Sequence, residues 1–473
     1  MSDIQKSICN MPIKVMPYRH QVKGFNECMA NDGYGLLFDV GLGKSLTAVA
    51  VMGARFERGE VNKALVVCPL AVQSVWEREC GNLTVPYTVK VLEGSTSKRV
   101  RALKQSGSQS AAASRCLDIA VINYEGARIM TDDLIRWPPD MIIVDESQRI
   151  KNPQSKQAKA VHTIAKGCRY RIILTATPIG NSVADVYSQW KVIDEDIFGR
   201  SFYAFRARYL VMGGYGNYQI VGFKNMPELL EKAHGKALRV TKEEALDLPA
   251  QVFESRYCKL EPAAKSVYEA LRRECVSELS GGEITAANVL TKLLRLQQCA
   301  GGFLRPDGSE YYTQVSNAKL DLLEDTLTDI LSAGEKVVVF CRFTEELEAI
   351  SKMLGRNKIN HETLSGAVKD KGGVVERFQT DPDIKVIVCQ INVGGVGITL
   401  TAASVMIFYS TTFSLIDYLQ AVGRTHRIGQ TTRCLYLHLI ASGTVDEHIF
   451  AAIKAKKSLS DNVVDNWKEV LGL

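Results

Sequence analysis

The sequence predicts an α/β protein with two parallel-sheet domains in tandem, and three observations support this prediction. First, 473 residues exceed one ordinary domain and suit two or three. Second, short and nearly continuous Val/Ile/Leu runs recur, each followed by a polar or glycine break and a helical pattern. Such runs are typical of buried parallel strands joined by crossover helices. Third, the runs form two series, separated by a stretch of different composition.

The two series of apolar runs predict one sheet each. The first series is GLLFDV, KALVVCPL, IAVINY, MIIVDE and RIILTATP, from Gly35 to Pro178. The second series is EKVVVFCRF, KVIVCQ, SVMIFYS and CLYLHLI, from Glu335 to Ile440.

Between the two series, from about Asp185 to Lys319, most of the sequence has apolar residues at helical spacing. Within it, Met212–Phe223 predicts a loop or small hairpin, and Leu248–Pro262 predicts a strand that leads into the second domain. We expect these domains and elements: a first domain over 1–245 with a helical protrusion at about 185–245, and a second domain over 246–473 with a helical protrusion at about 262–318 and a C-terminal helix at about 446–460.

Composition restricts the class of protein. Hydrophobic residues make up 46% and charged residues 23%, as in globular proteins. No apolar run approaches the roughly 18 residues of a membrane span, so we expect no membrane partner. The net charge of +6 permits nucleic-acid binding without requiring it. The 12 cysteines are scattered and include no CxxC pair, which disfavours a structural zinc site.

A glycine-rich turn after the first predicted strand is the first candidate site. Backbone amides of Gly41–Ser45 and the start of a helix could cradle phosphates. Lys44 would contact the β- and γ-phosphates, and the Ser45 hydroxyl would bind Mg²⁺. Phe38 replaces the first glycine of the usual phosphate-loop pattern, so a plain turn with a surface lysine stays an alternative. We assign these residues to nucleotide binding: Gly41, Leu42, Gly43, Lys44, Ser45 and Leu46.

Two adjacent carboxylates, Asp145 and Glu146, end the run MIIVDE. Asp145 would hold Mg²⁺, and Glu146 would orient and deprotonate the attacking water. A non-functional acidic pair in a loop is the weaker alternative. Thr175 and Thr177 end the next run and could sense the γ-phosphate, although taken alone they are better explained as turn residues.

The string Gln420–Gln430, QAVGRTHRIGQ, belongs to the second series. On a helix, Arg424 and Arg427 would share a face. Two guanidinium groups far in sequence from the phosphate turn suit arginine fingers, which stabilise charge on a transferred phosphoryl group. A helix face that makes surface ion pairs is the alternative. Upstream, Val393–Ile398 is a glycine turn that could approach a ribose or a DNA backbone closely.

Eight segments, in order, resemble the motifs of the Swi/Snf-type ATPases of helicase superfamily two. They cover the chain from about Met16 to Lys457. The segments are PYRHQ, LLFDVGLGKSLTA, VVCPLAVQSVWERE, VDESQRIKN, LTATPIGN, GGVGITLTAA, QAVGRTHRIGQ and GTVDE. The resemblance implies two RecA-like (P-loop) domains that use ATP and Mg²⁺ to move along double-stranded DNA.

The resemblance also implies roles for matching residues. Gln21 would recognise adenine, and Gly397 would approach the nucleotide. Gln420, Arg424 and Arg427 would complete the ATP site from the second domain. The residues expected to face the DNA backbone are Pro69, Ser74, Asn123, Arg342, Ser365 and Asn392.

Three departures from the family pattern are notable. Ser147-Gln148 replaces the usual Ala-His, so Gln148 would have to relay between phosphate and DNA. Val422-Gly423 replaces an acidic pair, and Tyr409–Ser414 lacks a Trp-x-Pro element. These traits are more similar to small bacterial, phage-borne and annealing-type relatives, and they suggest the cytoplasm of a bacterial or phage-infected cell.

We therefore expect an ATP hydrolase that acts as a monomeric motor on plain, forked or branched duplex DNA. Two alternatives stay open. One is a strand-separating or annealing helicase on DNA or RNA. The other is an ATP-gated DNA-binding scaffold with poor turnover, suggested by Phe38 and Gln148.

Overall fold

The computed structural model describes residues 11–104, 115–214, 216, 219–246, 248–281, 286–305, 311–391, 393, 398–427 and 429–460. Side chains are described for these residues except 275–290 and 459. The chain forms two compact units, the first containing Met1–Leu246 and Ser458–Leu473 and the second Asp247–Lys457. None of the helices within the described ranges is long and apolar enough to cross a membrane.

Unit 1 is built on a seven-stranded parallel sheet with the strand order β3-β4-β2-β5-β6-β1-β9. Its strands are β1 (Gly33–Phe38), β2 (Lys63–Cys68), β3 (Tyr87–Val91), β4 (Leu117–Asn123), β5 (Met141–Asp145), β6 (Tyr170–Leu174) and β9 (Ala237–Val240), with an antiparallel hairpin of β7 (Leu210–Gly213) and β8 (Gln219–Phe223) outside the sheet. Its helices are α1 (Arg19–Ala30), α2 (Lys44–Glu57), α3 (Gln73–Cys80), α4 (Thr96–Lys104), α5 (Tyr124–Ile129), α6 (Thr131–Arg136), α7 (Lys156–Lys166), α8 (Asp185–Ile193), α9 (Phe202–Tyr209), α10 (Met226–His234) and α11 (Lys242–Ala245).

Unit 2 contains a six-stranded parallel sheet with the order β10-β17-β16-β13-β15-β14. Its strands are β10 (Gln251–Cys258), β13 (Val337–Cys341), β14 (His361–Leu364), β15 (Val386–Gln390), β16 (Val405–Phe408) and β17 (Cys434–Ala441), with a small pair β11 (Phe303–Leu304) and β12 (Thr313–Gln314). Its helices are α12 (Pro262–Gly281), α13 (Ala286–Ala300), α14 (Ala318–Ser332), α15 (Thr344–Arg356), α16 (Lys371–Thr380), α17 (Leu415–Val422) and α18 (Val445–Ser460).

Both sheets have a hydrophobic core on each face, because neighbouring residues of a strand point to opposite faces. In β5, Ile142 and Val144 pack into one core, and Met141 and Ile143 pack into the other. This double burial explains why the central strands are continuous apolar runs. The predicted fold, two parallel-sheet α/β domains in tandem, is confirmed.

Three strands of the two large sheets were not predicted, and all three lie at the edge of a sheet. These are β3, β9 and β14. Their residues are partly exposed and include polar side chains, as in HETL of β14, so they form no continuous apolar run. The segment 185–245 is also less helical than expected, since it contains the β7–β8 hairpin and the sheet strand β9.

Candidate functional site

The glycine-rich turn lies at the carboxyl end of β1. Gly41 and Gly43 have φ angles of 93° and 76°, which favour glycine over any residue with a side chain. Helix α2 begins at Lys44, directly after the turn. The unpaired amides of its first turn and the positive end of its dipole therefore lie where a phosphate cradle requires them.

The Lys44 side chain is buried within this turn. Its ammonium group donates hydrogen bonds to the carbonyl oxygens of Phe38 (2.8 Å) and Asp39 (3.2 Å). Burial lowers the pKa of Lys44, whereas the nearby carboxylates of Glu146, Asp145 and Asp39 raise it. A lysine held by backbone carbonyls beside the carboxylate pair is well placed to exchange those carbonyls for phosphate oxygens.

Gln21 lies against the same turn. Its Nε2 donates to the carbonyl of Leu42 (3.2 Å), and its Oε1 accepts the amide of Tyr18 (2.9 Å). The Leu42 side chain is buried in the core, so only its backbone is available to a ligand. Ser45 and Leu46 follow Lys44 in the first turn of α2 and are half-buried.

The missing first glycine of the phosphate loop has a structural explanation. Phe38 is the last residue of β1 and is fully buried in the core. It packs edge-on against His20, and a Cβ on Gly24 would lie 2.7 Å from its Cζ atom. Phe38 therefore belongs to the core rather than to the turn, and a glycine on the neighbouring helix makes room for it.

We expect Gly43→Ala to weaken ATP binding about tenfold or more, because a left-handed backbone costs a residue with a side chain roughly 1–2 kcal/mol. The added methyl group would also lie 2.1 Å from Gln21 Nε2. Titration with a fluorescent ATP analogue measures the effect. Gly355→Ala in α15 is the control, since the methyl group that it adds would meet no neighbouring side chain within 4 Å. Equal ATP affinities of Gly43→Ala and wild type would contradict the assignment.

The carboxylate pair lies at the end of β5. Asp145 is 8% exposed; its Oδ2 accepts the Trp76 indole N–H (2.8 Å) and its Oδ1 accepts the Glu146 amide (3.0 Å). Burial and the neighbouring Glu146 carboxylate raise the pKa of Asp145 to about 6. The Trp76 hydrogen bond and the Lys44 charge lower this pKa, but by less than burial and Glu146 raise it. Glu146 has a φ of 53°, a strained conformation typical of functional positions.

A chain of hydrogen bonds connects Glu146 to the end of β6. Gln148 Nε2 donates to Glu146 Oε2, and Thr175 Oγ1 donates to Gln148 Oε1 (2.6 Å). The Thr177 amide then donates to Thr175 Oγ1 (3.0 Å). Thr175, which the sequence alone left as a turn residue, therefore holds the side chain that orients Glu146.

Sequence reasoning missed one cation beside the phosphate turn. Arg239 on β9 pairs with Asp39 (2.8 Å) and donates to the carbonyls of Leu37 (2.9 Å) and Ala176 (3.3 Å). No spacing in the sequence signals these contacts, because β9 is an edge strand far along the chain, as the Arg239–Leu37 separation of 202 positions shows. Arg239 ties the turn to two other segments of the unit-1 site.

In unit 2, the prediction that Arg424 and Arg427 share a face of one helix is wrong. Helix α17 ends at Val422 with Gly423 as its cap, and the Arg424 carbonyl accepts the amide of Leu400 (2.9 Å) instead of continuing the helix. The two guanidinium groups nevertheless converge, since each donates to the carbonyl of Ile398, at 3.4 Å and 3.1 Å respectively.

Arg427 is half-buried in unit 2. It also donates to Thr399 Oγ1 (3.0 Å), its Nε has no partner within the described residues, and burial lowers its pKa to about 10. Gln420 lies on α17 and is half-buried. Gly397 and Asn392 lie outside the described residues.

The residues predicted to face DNA in unit 1 lie beyond the carboxyl ends of β2 and β4. Pro69 is buried directly after β2, whereas Leu70 is 67% exposed and Ser74 is exposed on α3. Asn123 ends β4, and its Oδ1 accepts the Gly126 amide (3.2 Å) as the N-cap of α5. Its side-chain oxygen therefore has a structural role that the sequence did not indicate.

In unit 2, the predicted DNA contacts follow β13 and β14. Arg342 NH1 donates to Gln297 Oε1 (2.5 Å), and Gln297 Nε2 donates to the carbonyl of Thr411 (2.5 Å). Ser365 follows β14 and is half-buried. Arg342 is thus anchored by helix α13, a contact that links the helical segment to the sheet.

A buried carboxyl group supports the Arg342 turn. Glu346 is 1% exposed, and its Oε2 accepts the amides of Arg342 (3.1 Å) and Phe343 (3.2 Å) and the hydroxyl of Ser410. Burial raises the pKa of Glu346 to about 7. The folded unit therefore retains a proton that the unfolded chain releases near its ordinary value of 4.5.

Because the folded-state pKa is the higher one, this group destabilises the fold as pH rises from about 4.5 to about 7. We expect Glu346→Gln, which resembles the protonated acid, to be more stable than wild type at pH 8 by up to about 3 kcal/mol. The difference in free energy of unfolding should shrink towards pH 5, as urea titrations monitored by circular dichroism would measure. Glu345→Gln on the same helix is the control, and a pH-independent difference for Glu346→Gln would contradict the prediction.

The chain is similar to known proteins over nearly its whole length. Residues 19–301 match the SNF2-related domain, and residues 318–429 match the helicase conserved C-terminal domain. The chain is 26% identical over 475 residues to Chromodomain-helicase-DNA-binding protein 1-like of Danio rerio, covering 96% of this chain and 44% of that protein. It is 26% identical over 459 residues to the putative ATP-dependent helicase/translocase YwqA of Bacillus subtilis, covering 94% and 47%.

Among solved structures, the chain is similar to the Sulfolobus solfataricus SWI2/SNF2 ATPase core in complex with dsDNA, with 27% identity, a TM-score of 0.45, and coverage of 96% of this chain and 94% of that one. It spans less than half the length of the two curated relatives named above. Because the match to the SNF2-related domain covers more than half of the chain, the protein belongs to the SNF2-related family of helicase-like ATPases.

Proposed function

We propose that the protein is an ATP-driven translocase on double-stranded DNA that uses Mg²⁺. One observation carries the proposal. At the carboxyl edge of the unit-1 sheet, the ATP-site motifs end β1, β6 and β5, and the expected DNA-facing segments follow the adjacent strands β2 and β4. Hydrolysis and DNA contact would thus share one rigid edge, as coupling between them requires.

The unit-1 turn fits the phosphates of ATP. Positive φ angles at Gly41 and Gly43 expose backbone amides, α2 begins directly after them, and Lys44 supplies a buried cation. Ser45 and Asp145 would hold Mg²⁺, whose charge would neutralise the β- and γ-phosphate oxygens. No group of three or more His, Cys, Asp or Glu side chains among the described residues is placed to hold a metal, so phosphates and water would complete the coordination.

Each side chain then has one task. Glu146 takes a proton from the attacking water, and Gln148 with Thr175 holds Glu146 in place. As the family resemblance implies, Gln420, Arg424 and Arg427 would take part in hydrolysis, with the guanidinium groups stabilising the transition-state charge. Their hydrogen bonds to Ile398 keep both guanidiniums together before a phosphate replaces that carbonyl.

DNA contact through the backbone predicts weak sequence preference and strong salt dependence. Displacement of a third strand from a triplex tests movement along duplex DNA, and a forked duplex in parallel tests strand separation. We expect ATP-dependent triplex displacement without fork unwinding, and no displacement by Glu146→Gln. Fork unwinding without triplex displacement would support a strand-separating helicase instead, and a lack of DNA-stimulated hydrolysis would support a scaffold.

A further inference from the structure

Two aromatic side chains connect the segments expected to face DNA, after β2 and β4, with the carboxylate pair at the end of β5. Trp76 lies on α3, which follows β2, and Tyr124 begins α5, which follows β4. Both are buried, with 1% and 7% of their surface exposed. Each contacts the carboxylate pair at the end of β5, a contact that the sequence did not indicate for either residue.

The two contacts act on different parts of the carboxylate pair. Trp76 Nε1 donates to the Asp145 carboxylate at 2.8 Å. The Tyr124 hydroxyl donates to the backbone carbonyl of Asp145 at 2.5 Å and lies 3.2 Å from that of Glu146. Trp76 therefore fixes a side chain, and Tyr124 fixes the backbone at the strained Glu146, whose φ is 53°.

These residues are rigidly attached to the expected DNA-facing segments. Trp76 is two positions after the exposed Ser74 on the same helix. Tyr124 directly follows Asn123, the N-cap of its helix. Hydrogen bonds weaken steeply with distance and angle, so a small shift of α3 or α5 would change how Asp145 and Glu146 are held.

We propose that Trp76 and Tyr124 are positioning residues that transmit DNA binding to the catalytic carboxylates, Trp76 through the Asp145 side chain and Tyr124 through the Asp145–Glu146 backbone. The proposal rests on the proposed function, in that the segments around Ser74 and Asn123 contact DNA. It predicts that loss of either hydrogen bond lowers the stimulation of hydrolysis by DNA without weakening DNA binding.

Matched substitutions within the same unit make the test specific. Trp76→Phe removes the indole N–H that donates to Asp145, and Tyr124→Phe removes the hydroxyl that contacts the Asp145 and Glu146 carbonyls. Trp137→Phe and Tyr187→Phe remove equivalent atoms from buried residues whose Nε1 and hydroxyl have no partner within the described residues. For each variant, the basal kcat, the DNA-stimulated kcat and the half-saturating duplex concentration are measured, with circular dichroism to verify folding.

We expect the ratio of stimulated to basal kcat to fall about tenfold in Trp76→Phe and Tyr124→Phe, at an unchanged half-saturating DNA concentration. Trp76→Phe should also raise the half-saturating Mg²⁺ concentration, whereas Tyr124→Phe should not. Trp137→Phe and Tyr187→Phe should behave as wild type. If Trp76→Phe fails to fold, the ratio of stimulated to basal kcat in Tyr124→Phe, compared with that in Tyr187→Phe, decides whether the coupling exists.

Three negative outcomes are distinguishable. Wild-type protein that is stimulated by DNA, with Tyr124→Phe and Trp76→Phe stimulated equally, would overturn the coupling and leave the proposed function intact. Wild-type protein that DNA does not stimulate would overturn both. A rise in the half-saturating DNA concentration at constant kcat would make the two residues part of the DNA-binding surface and would also overturn the coupling.

Discussion

Replacement of Glu146 by glutamine is expected to lower the rate of ATP hydrolysis by about 100-fold or more while ATP still binds, because the amide cannot accept the proton of the attacking water. The geometry should survive, since the new amide oxygen can still accept the Gln148 hydrogen bond. Phosphate release and nucleotide titration measure the two quantities separately.

Glu125→Gln is the matched control for this substitution. Glu125 lies in the same unit, but it is exposed and pairs with Arg128. We expect the Glu125→Gln variant to hydrolyse ATP at the wild-type rate. Equal rates for wild type and Glu146→Gln would remove Glu146 from catalysis and would favour the interpretation as an ATP-gated scaffold.

Arg427→Ala is expected to lower the rate of hydrolysis by about 1000-fold, the scale of an arginine finger. The Arg427 guanidinium donates to the Ile398 carbonyl and to Thr399 Oγ1, and as a finger it would exchange these neutral acceptors for an anion. Arg427→Lys should also be strongly impaired, because lysine lacks the planar fork of donors. Steady-state kinetics at saturating ATP and DNA give the effect.

Arg356→Ala controls for the loss of a unit-2 arginine, since Arg356 is exposed and pairs with Glu324 on the surface. Equimolar mixing of Arg427→Ala with Glu146→Gln provides a further control. No recovery of activity is expected if both groups act within one chain, as in a monomeric motor. A rate for Arg427→Ala within tenfold of wild type would contradict its role as a finger.

The central strands were predictable because a strand that is buried on both faces has a continuous run of apolar residues. Edge strands such as β14 carry polar residues and give no such signal. The motif residues at the ends of β1 and β5 were predictable for a related reason. Glycine, lysine or carboxylate residues directly after an apolar run are easy to recognise in the sequence.

The contacts that hold those motif residues were not predictable. Trp76 meets Asp145 across 69 positions of sequence, and Arg239 meets Leu37 across 202. Such pairings depend on strand order, which local patterns do not determine. The placement of Arg424 and Arg427 on a helix was wrong for a local reason, because Gly423 ends α17 and the following backbone pairs with Leu400.

The rate of ATP hydrolysis as a function of duplex length, at constant base-pair concentration and low salt, tests the central claim most directly. A motor that moves along duplex DNA is predicted to hydrolyse ATP faster on longer duplexes, up to a plateau, because it leaves short duplexes at their ends before completing many cycles. A rate that does not depend on length beyond the binding-site size, or that responds to single-stranded DNA or RNA instead of duplex, would contradict translocation on double-stranded DNA.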